Sequence, residues 1–130
     1  MSLKLNLKPR ERIVIDRAII TNGNTSCKIL IENKVPILRS KDIMRSQDAK
    51  TPCEKVYYIV QMMYLDSFGL ESHHRNYWKL IKPILKASPS MLDIVGKISQ
   101  LIAEENYYGA LKKTMEMIKY EDSLLKNTKT

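Results

Sequence analysis

Residues 3–8 strictly alternate apolar and polar side chains, and this alternation most constrains how the chain begins to fold. Residues 3–15 read Leu3-Lys4-Leu5-Asn6-Leu7-Lys8-Pro9-Arg10-Glu11-Arg12-Ile13-Val14-Ile15. Successive side chains of a β-strand point to opposite faces, so this pattern buries one apolar face and leaves a cationic face in water. We therefore expect an N-terminal strand whose outer face can attract a polyanion.

The positive charge of the chain is concentrated in the same region. Residues 1–50 hold eleven basic and five acidic side chains, a net of +6; residues 51–130 hold eleven and nine, a net of +2, which completes the formal +8. This asymmetry favours a polyanionic partner at the N-terminal part. Charge alone is equally typical of a solvated face, and it does not separate RNA from DNA, an anionic membrane or an acidic protein.

Composition indicates a cytoplasmic globular protein. The 130 residues are 44% hydrophobic and 28% charged, which is typical of one soluble domain or of a domain with an extension. No apolar run approaches the roughly 20 residues that span a bilayer, and the N-terminus lacks the apolar core of a secretory signal. We therefore expect no membrane association. Cys27 and Cys53 form no close-spaced pair, so we expect reduced thiols.

The N-terminal domain, residues 1–45, is predicted to be an antiparallel β meander of three or four strands. The strands are expected over residues 3–8, 12–20, 27–32 and 35–39. Asn22-Gly23 is a strong hairpin signal because both residues tolerate positive φ. Pro36 has no N–H to donate and should keep the last strand at an edge.

The second domain, residues 46–130, is predicted to be a bundle of about four α-helices, which makes the fold class α+β. The helices are expected near residues 52–66, 71–87, 91–102 and 107–125. Thr51-Pro52-Cys53-Glu54 has the pattern of a capping box with proline in the first turn. Pro83 should kink or divide the second helix.

The residues do not support an enzyme. His73 and His74 are adjacent and would project about 100° apart on a helix, so they cannot share one metal or substrate. Neither cysteine has a nearby partner for a zinc site, and the chain has no Gly-rich phosphate loop or nucleophile elbow. We expect no catalytic residue, no metal site and no cofactor.

The basic strand face is the best candidate for a binding site, with nucleic acid favoured over plain solubility. Arginine offers a planar fork that can bind phosphate and stack on bases, and it supplies four of the predicted cations. The candidate RNA-binding residues are Lys8, Arg10, Arg12, Arg17, Lys28, Lys34 and Arg39; Lys4 lies on the same first strand.

The helical tyrosines have two readings. Aromatic rings can stack on unpaired bases, but at helical spacing they more often pack with the hydroxyl at a rim, and we favour packing. The adjacent pairs Tyr57-Tyr58 and Tyr107-Tyr108 cannot bury both rings on one face. We therefore take Tyr57 and Tyr107 as candidate protein-interface residues.

Nearly the whole chain resembles the flagellum biosynthesis repressor family, FlbT. The resemblance is carried by Leu5-Asn6-Leu7-Lys8-Pro9, Glu11-Arg12-Ile13-Val14-Ile15, Asn22-Gly23, Leu30-Ile31-Glu32-Asn33, Ile37-Leu38-Arg39, Thr51-Pro52, Gln61-Met62-Met63-Tyr64 and Tyr107-Tyr108-Gly109-Ala110-Leu111. The family typically has Gly before the Glu-Arg pair and Asn-Gly after the Ile-Val-Ile run. Here Arg10 and Asp16-Arg17 stand at those places.

The resemblance implies a bacterial cytoplasmic regulator that acts on the 5′ untranslated region of flagellin mRNA and limits its translation or stability. Since some members of the family activate, the sign of regulation stays open. The alternative is an adaptor that contacts flagellin or another flagellar factor through its helical part. In either case we expect a homo-oligomer.

A shorter likeness links the N-terminal third to the carbon storage regulator family of RNA-binding β proteins. Glu11-Arg12-Ile13-Val14-Ile15 is similar to an early strand of that family, and Val35-Pro36-Ile37-Leu38-Arg39 to its last strand. In that family an arginine after the last strand contacts RNA, which implies such a role for Arg39. Lys8 falls where a basic residue follows the first strand.

Overall fold

The computed structural model describes residues 2–127 as an α+β protein with strands first and four α-helices after them. The described residues divide between Ile43 and Met44 into two compact units. The first, residues 2–43, is called the β unit here, and the second, residues 44–127, the helical unit. The predicted fold class is confirmed.

The β unit contains five antiparallel strands in two sheets. They are β1 Leu3–Leu7, β2 Arg12–Ile15, β3 Ala18–Thr21, β4 Cys27–Ile31 and β5 Ile37–Arg39. One sheet pairs β1 with β4, and the other has the order β3-β2-β5. Sequence neighbours pair only in the β2–β3 hairpin, so the strands form two sheets and not the single meander that the pattern predicts.

The alternation in β1 buries its apolar face as predicted. Leu5 and Leu7 are buried while Lys4 and Asn6 between them are exposed. These leucines form a core with Ile13 of β2, and the two sheets contribute further apolar side chains around them. The added members are Ile15, Cys27, Ile29, Ile31 and Ile37.

The single strand predicted over residues 12–20 is wrong, because the chain reverses within it. Asp16 and Arg17 form a two-residue turn, and Ile15 pairs with Ala18 across it. Asp16 adopts φ 56°, the left-handed conformation that such a turn requires and that short Asp side chains tolerate. The apolar residues on both sides hid this turn from the sequence pattern.

Asn22-Gly23 does not form the predicted hairpin. It begins the 22–26 connection between β3 and β4, two strands that belong to different sheets. Gly23 does not adopt positive φ; Arg10, across the connection, does, at φ 61°. Arg10 N–H donates to the Gly23 carbonyl oxygen at 2.8 Å. Arg10 and Asp16, which stand at the two places where this chain departs from the family it resembles, are therefore both in the left-handed region.

The helical unit contains four α-helices joined by short segments. They are α1 Pro52–Leu65, α2 Leu70–Ala87, α3 Leu92–Ala103 and α4 Tyr107–Asn127. Short 3-10 turns lie at Ser46–Asp48, Ser67–Gly69 and Pro89–Met91, and a further one, Ser40–Asp42, ends the β unit. Helix α1 packs against α2 and α4, and α3 packs against α4. None of the described helices has the length and apolarity needed to cross a bilayer.

The predicted start of α1 is confirmed as a capping box. The Thr51 hydroxyl accepts the Glu54 N–H at 3.1 Å, and the Glu54 carboxylate accepts the Thr51 N–H at 3.0 Å. Pro83 does not divide α2, which is continuous from Leu70 to Ala87. Pro83 is exposed, so the carbonyl group that loses its helical partner can be solvated.

Helices α3 and α4 are joined by a Schellman-type turn. Glu105 adopts φ 60°, and the Asn106 N–H reaches back to the Leu101 carbonyl oxygen at 2.8 Å. Asn106 then caps α4, because its side-chain oxygen accepts the Gly109 N–H at 2.9 Å. Glycine is the usual residue at a left-handed helix terminus; here Glu105 takes that place, between the two helices predicted near residues 91–102 and 107–125.

Candidate nucleic-acid interface

Asn22 organises one end of the β unit. Its side-chain nitrogen donates to the carbonyl oxygens of Lys8 at 2.7 Å and Thr25 at 3.0 Å. Its side-chain oxygen accepts the Gly23 N–H and the thiol of Cys27. One amide thus connects the end of β1, the 22–26 connection and the start of β4.

An open depression of about 360 Å³ lies where β1 ends and β4 begins. It is lined by Asn6, Leu7, Lys8, Ser26, Cys27 and Lys28. Asn6 and Lys28 are paired across the two strands and are exposed on the outer face of the sheet. Two ammonium groups, an amide and a hydroxyl around one concavity can bind a phosphate and hydrogen-bond a base edge.

Arg10 and Arg12 extend this cationic surface. Arg10 is exposed, and its Nε donates to the Asn24 side-chain oxygen at 3.3 Å. Arg12 is exposed on β2 opposite Thr21, the last residue before the 22–26 connection. We call Lys8, Arg10, Arg12 and Lys28, together with residues 22–26, the basic end.

Arg39 is held inside the β unit by its own partners. Its Nε lies 3.2 Å from Glu11 Oε2, and its terminal nitrogen donates to the Asn6 carbonyl oxygen. The Lys8 N–H donates to Glu11 Oε1 at 2.9 Å. This backbone hydrogen bond and the Arg39 guanidinium lower the pKa of Glu11 below its ordinary value. Arg39 therefore connects β5 to β1 and to the β1–β2 loop, and its role as an RNA contact stays a prediction.

The other two predicted cations lie away from the basic end. Arg17 is in the β2–β3 turn, and Lys34 follows β4. Because β2 begins at the basic end and β4 also begins there, the turn at Arg17 and the residues after Ile31 lie at the opposite end of their sheets. The structure thus brings four of the seven predicted residues together within the β unit.

The two predicted interface tyrosines are less accessible than their neighbours. Tyr57 is 3% exposed in α1, because it shares a helical stripe with the buried Cys53 and Val60. Tyr107 is half-buried, and burial, followed by the charge of Glu105, raises the pKa of its hydroxyl. The more accessible members of the pairs are Tyr58 and Tyr108, and an interface role for Tyr57 and Tyr107 stays a prediction.

A groove of about 410 Å³ lies between α1 and α2. Its apolar lining includes Tyr58, Ile59 and Leu80, and the exposed Lys55 and Lys79 flank it. Residues Ser46, Ala49 and Asn76 complete the lining. The sequence pattern missed this groove because it treats every apolar position of an amphipathic helix as core.

No metal centre is built from the described residues. Within residues 2–127 no three His, Cys, Asp or Glu side chains come close enough to hold an ion. His73 instead pairs with Asp66, with 3.2 Å between Nε2 and Oδ2. Both cysteines are free thiols, with Cys53 buried and Cys27 partly exposed.

Several residues that shape the basic end were not singled out from the sequence. The sequence pattern predicts only a turn at Asn22 and assigns no role of its own to Glu11, whereas each makes bonds to distant segments. Asn6, Glu11 and Asn22 all lie among the residues that resemble the family, and Ser26 does not. Strand register brings Asn6 and Ser26 to the depression, and no local pattern reveals that.

The fold and the surface define a small α+β protein with a cluster of exposed cations on its strand unit. The chain belongs to the FlbT family: the family model described as flagellar protein FlbT matches residues 3–125. No solved structure matches the chain.

Curated relatives match over nearly their full length. A "probable flagellum biosynthesis repressor protein FlbT" of Rhodopseudomonas palustris (strain TIE-1) is 40% identical over 125 residues, covering 96% of this chain and 98% of the relative. A "probable flagellum biosynthesis repressor protein FlbT 1" of Bradyrhizobium diazoefficiens is 39% identical over 125 residues, covering 95% of this chain and 85% of the relative. One from Caulobacter vibrioides (strain NA1000 / CB15N) is 35% identical over 127 residues, covering 96% and 90%.

Proposed function

We propose that this protein is a cytoplasmic post-transcriptional repressor that binds the 5′ untranslated region of flagellin mRNA. Binding limits the translation or stability of that message during flagellum assembly. The observation that carries the proposal is the basic end, where Lys8 and Lys28 flank one depression beside Arg10 and Arg12. The names of the relatives support a repressor role in flagellar synthesis.

The chemistry of the basic end suits single-stranded RNA. Sequence-specific RNA recognition mostly targets unpaired segments, whose bases can be splayed out and hydrogen-bonded on their edges. Lys8 and Lys28 supply charges for the phosphates, while the Asn6 amide and the Ser26 hydroxyl offer donors and acceptors to a base. The pairing of β1 with β4 brings these groups together around the depression.

Long-range charge favours the same partner. Residues 1–43 contain nine basic and four acidic side chains, a net of +5. Arg39 and Glu11 neutralise each other, so they add little to this field. The remaining cations should steer RNA to the β unit, and the affinity should fall steeply with salt.

The test is a fluorescence-anisotropy titration of the purified protein on its own flagellin leader RNA over a range of salt. The double variant Lys8→Ala/Lys28→Ala should weaken binding about tenfold or more. If each lysine contacts one phosphate, the slope of log affinity against log salt should fall by about 1.4. The matched control is Lys86→Ala/Lys119→Ala, which removes the same charge from exposed positions of α2 and α4.

The two double variants distinguish binding at the basic end from attraction to the overall positive charge of the protein. Equal losses in the double variant and its control would leave only non-specific attraction, and the basic end would be rejected. A wild-type protein that binds the leader no better than a scrambled RNA at physiological salt would reject leader recognition itself.

The groove between α1 and α2 favours a second candidate, an adaptor that binds flagellin or another flagellar protein. Its apolar floor and its two flanking lysines suit an apolar side chain next to acidic residues. The test is calorimetric titration with purified flagellin. The adaptor function requires binding that Leu80→Glu abolishes and Lys8→Ala/Lys28→Ala leaves unchanged.

A further inference from the structure

The outer edge of β3 is an unprotected strand edge. β3 is the end strand of the β3-β2-β5 sheet, and all four of its residues are exposed. Ile19 is 71% exposed and Ile20 is 38% exposed. Soluble proteins usually blunt such edges with charges, proline or bulges.

The other described strands carry such protection and β3 does not. Lys4 lies on β1, Lys28 on β4 and Arg39 on β5, where Pro36 also precedes the strand. β3 reads Ala-Ile-Ile-Thr, without charge or proline. Such an uncharged, apolar edge strand is typical of a strand that pairs with another strand.

The hydrogen-bond alternation identifies which backbone groups are available. Ile15 and Ala18 flank the two-residue turn and form the hydrogen-bonded pair next to it. Asn22 N–H donates to the Glu11 carbonyl oxygen at 2.9 Å. Every second residue of β3, counted from Ala18 to Asn22, therefore directs its backbone groups towards β2. In an antiparallel pair the intervening residues direct N–H and C=O away from the partner strand. Ile19 and Thr21 therefore point these groups to the outer edge.

We propose that two copies of this chain pair through their β3 edges about a two-fold axis, placing Arg17 of each copy at the basic end of the other. The RNA-binding part of this inference rests on the proposed function; the pairing does not. We take the antiparallel register that centres the two-fold axis on the outward groups of Ile19, which sets Ile19 opposite the partner copy's Ile19. Ile20 then faces the partner copy's Ala18, and no like charges meet within the four-residue strands.

Arg17 lies away from the other predicted cations of its own chain, but this register brings it close to the basic end of the partner copy. Thr21 faces the partner copy's Arg17, and Thr21 is itself paired with Arg12. Neighbouring strands are about 4.8 Å apart, so Arg12 and the partner copy's Arg17 come to about 10 Å on one face of a continuous sheet. The dimer thus restores to each basic end a cation that the monomer holds at its far end.

Four-residue pairing buries less than a standard protein interface, so we expect a dissociation constant on the order of 10 µM. Sedimentation velocity from about 1 to 200 µM should show a monomer–dimer equilibrium. Ile19→Lys should weaken it at least tenfold. Ile19→Pro should do the same by removing one outward N–H while sparing the bonds between β2 and β3. Leu30→Lys, the same exchange at an exposed position of β4, should leave it unchanged. Circular dichroism checks the folding of each variant.

Leader binding then tests the composite site. Arg17→Ala should keep the dimer and lose RNA affinity severalfold, and Ile19→Lys should lose both. A wild-type monomer at 200 µM (roughly twentyfold above the expected constant), or a dimer that persists in folded Ile19→Lys and Ile19→Pro, would overturn the pairing. A β3-dependent dimer without leader recognition leaves the pairing standing and rejects the proposed function. Leader binding by a strict monomer does the reverse.

Discussion

Arg39 Nε lies 3.2 Å from Glu11 Oε2, which joins two residues 28 positions apart in the chain. The same guanidinium donates to the Asn6 carbonyl oxygen. One arginine therefore holds β5, the β1–β2 loop and β1 together. The resemblance to RNA-binding β proteins implies a contact with RNA for Arg39, whereas the structure shows what this residue does within the β unit.

Arg39→Ala should lower the stability of the folded protein, which the loss of a residue that only contacts RNA would not do. The substitution leaves the partly buried Glu11 carboxylate without its cation and the Asn6 carbonyl without a donor. We expect a clear fall in the urea midpoint. Arg39→Lys should recover only part of it, since an ammonium cannot reproduce the planar fork. Arg12→Ala, at an exposed strand position, is the control, and an equal fall there would contradict the assignment.

The Glu11 carboxylate should make the stability pH-dependent in acid. The pKa of Glu11 is lowered in the folded state, first by the Lys8 N–H and then by Arg39. A group of this kind stabilises the fold above its unfolded pKa, and that contribution is lost as pH falls through the folded value. Urea midpoints from pH 7 to pH 3 should therefore show wild type falling towards Glu11→Gln below about pH 4.5. A constant gap between the two across this range would contradict the linkage.

Two left-handed residues allow stability and binding to be separated. Arg10 at φ 61° and Glu105 at φ 60° hold a conformation that favours glycine. Arg10→Gly and Glu105→Gly should each raise the free energy of unfolding by about 0.5–1 kcal/mol, the relief of strain less the entropy cost of glycine. Only Arg10→Gly should weaken leader binding in anisotropy titrations. Equal binding by both variants would show that Arg10 does not contribute to RNA binding at the basic end.

The two thiols should react very differently. Burial, together with the nearby Glu121 carboxylate, raises the pKa of Cys53 to about 12, and the thiolate is the reactive form. Cys27 is partly exposed. A chromogenic disulfide reagent at pH 8 should therefore titrate one thiol in the native protein and two in denaturant. Cys27→Ser should abolish the native reaction, and rapid native reaction in that variant would contradict the burial of Cys53.

Asn22 should be the most sensitive polar residue of the β unit. Asn22→Ala removes the donor to the Lys8 and Thr25 carbonyls and the acceptor for Gly23 and Cys27. We expect a loss of about 2 kcal/mol in the free energy of unfolding, measured in urea. The control is Asn24→Ala, which removes one exposed contact with Arg10. Similar losses at both positions would show that Asn22 has no special role.

Local patterns predicted the elements whose signals are contained within one turn or one strand. The alternation of β1 correctly separated Leu5 and Leu7 from Lys4 and Asn6. Thr51 and Glu54 predicted the start of α1 because a capping box involves four consecutive residues. The turn at Asp16-Arg17 was missed because a polar pair between apolar runs carries no glycine to mark it.

The sequence by itself determined an α+β protein with a cationic N-terminal third, because side-chain periodicity and charge are properties of the chain alone. Which cations lie together was decided by strand pairing. The register of β1 with β4 puts Lys28 beside Asn6 and Lys8, and the turn at Asp16 sends Arg17 to the far end. Pairing between distant strands depends on the packing of a shared core, and no local pattern encodes it. The tertiary structure therefore decided which basic residues form the basic end and which one, Arg39, forms an internal ion pair. It also decided that β3 lies at an exposed sheet edge.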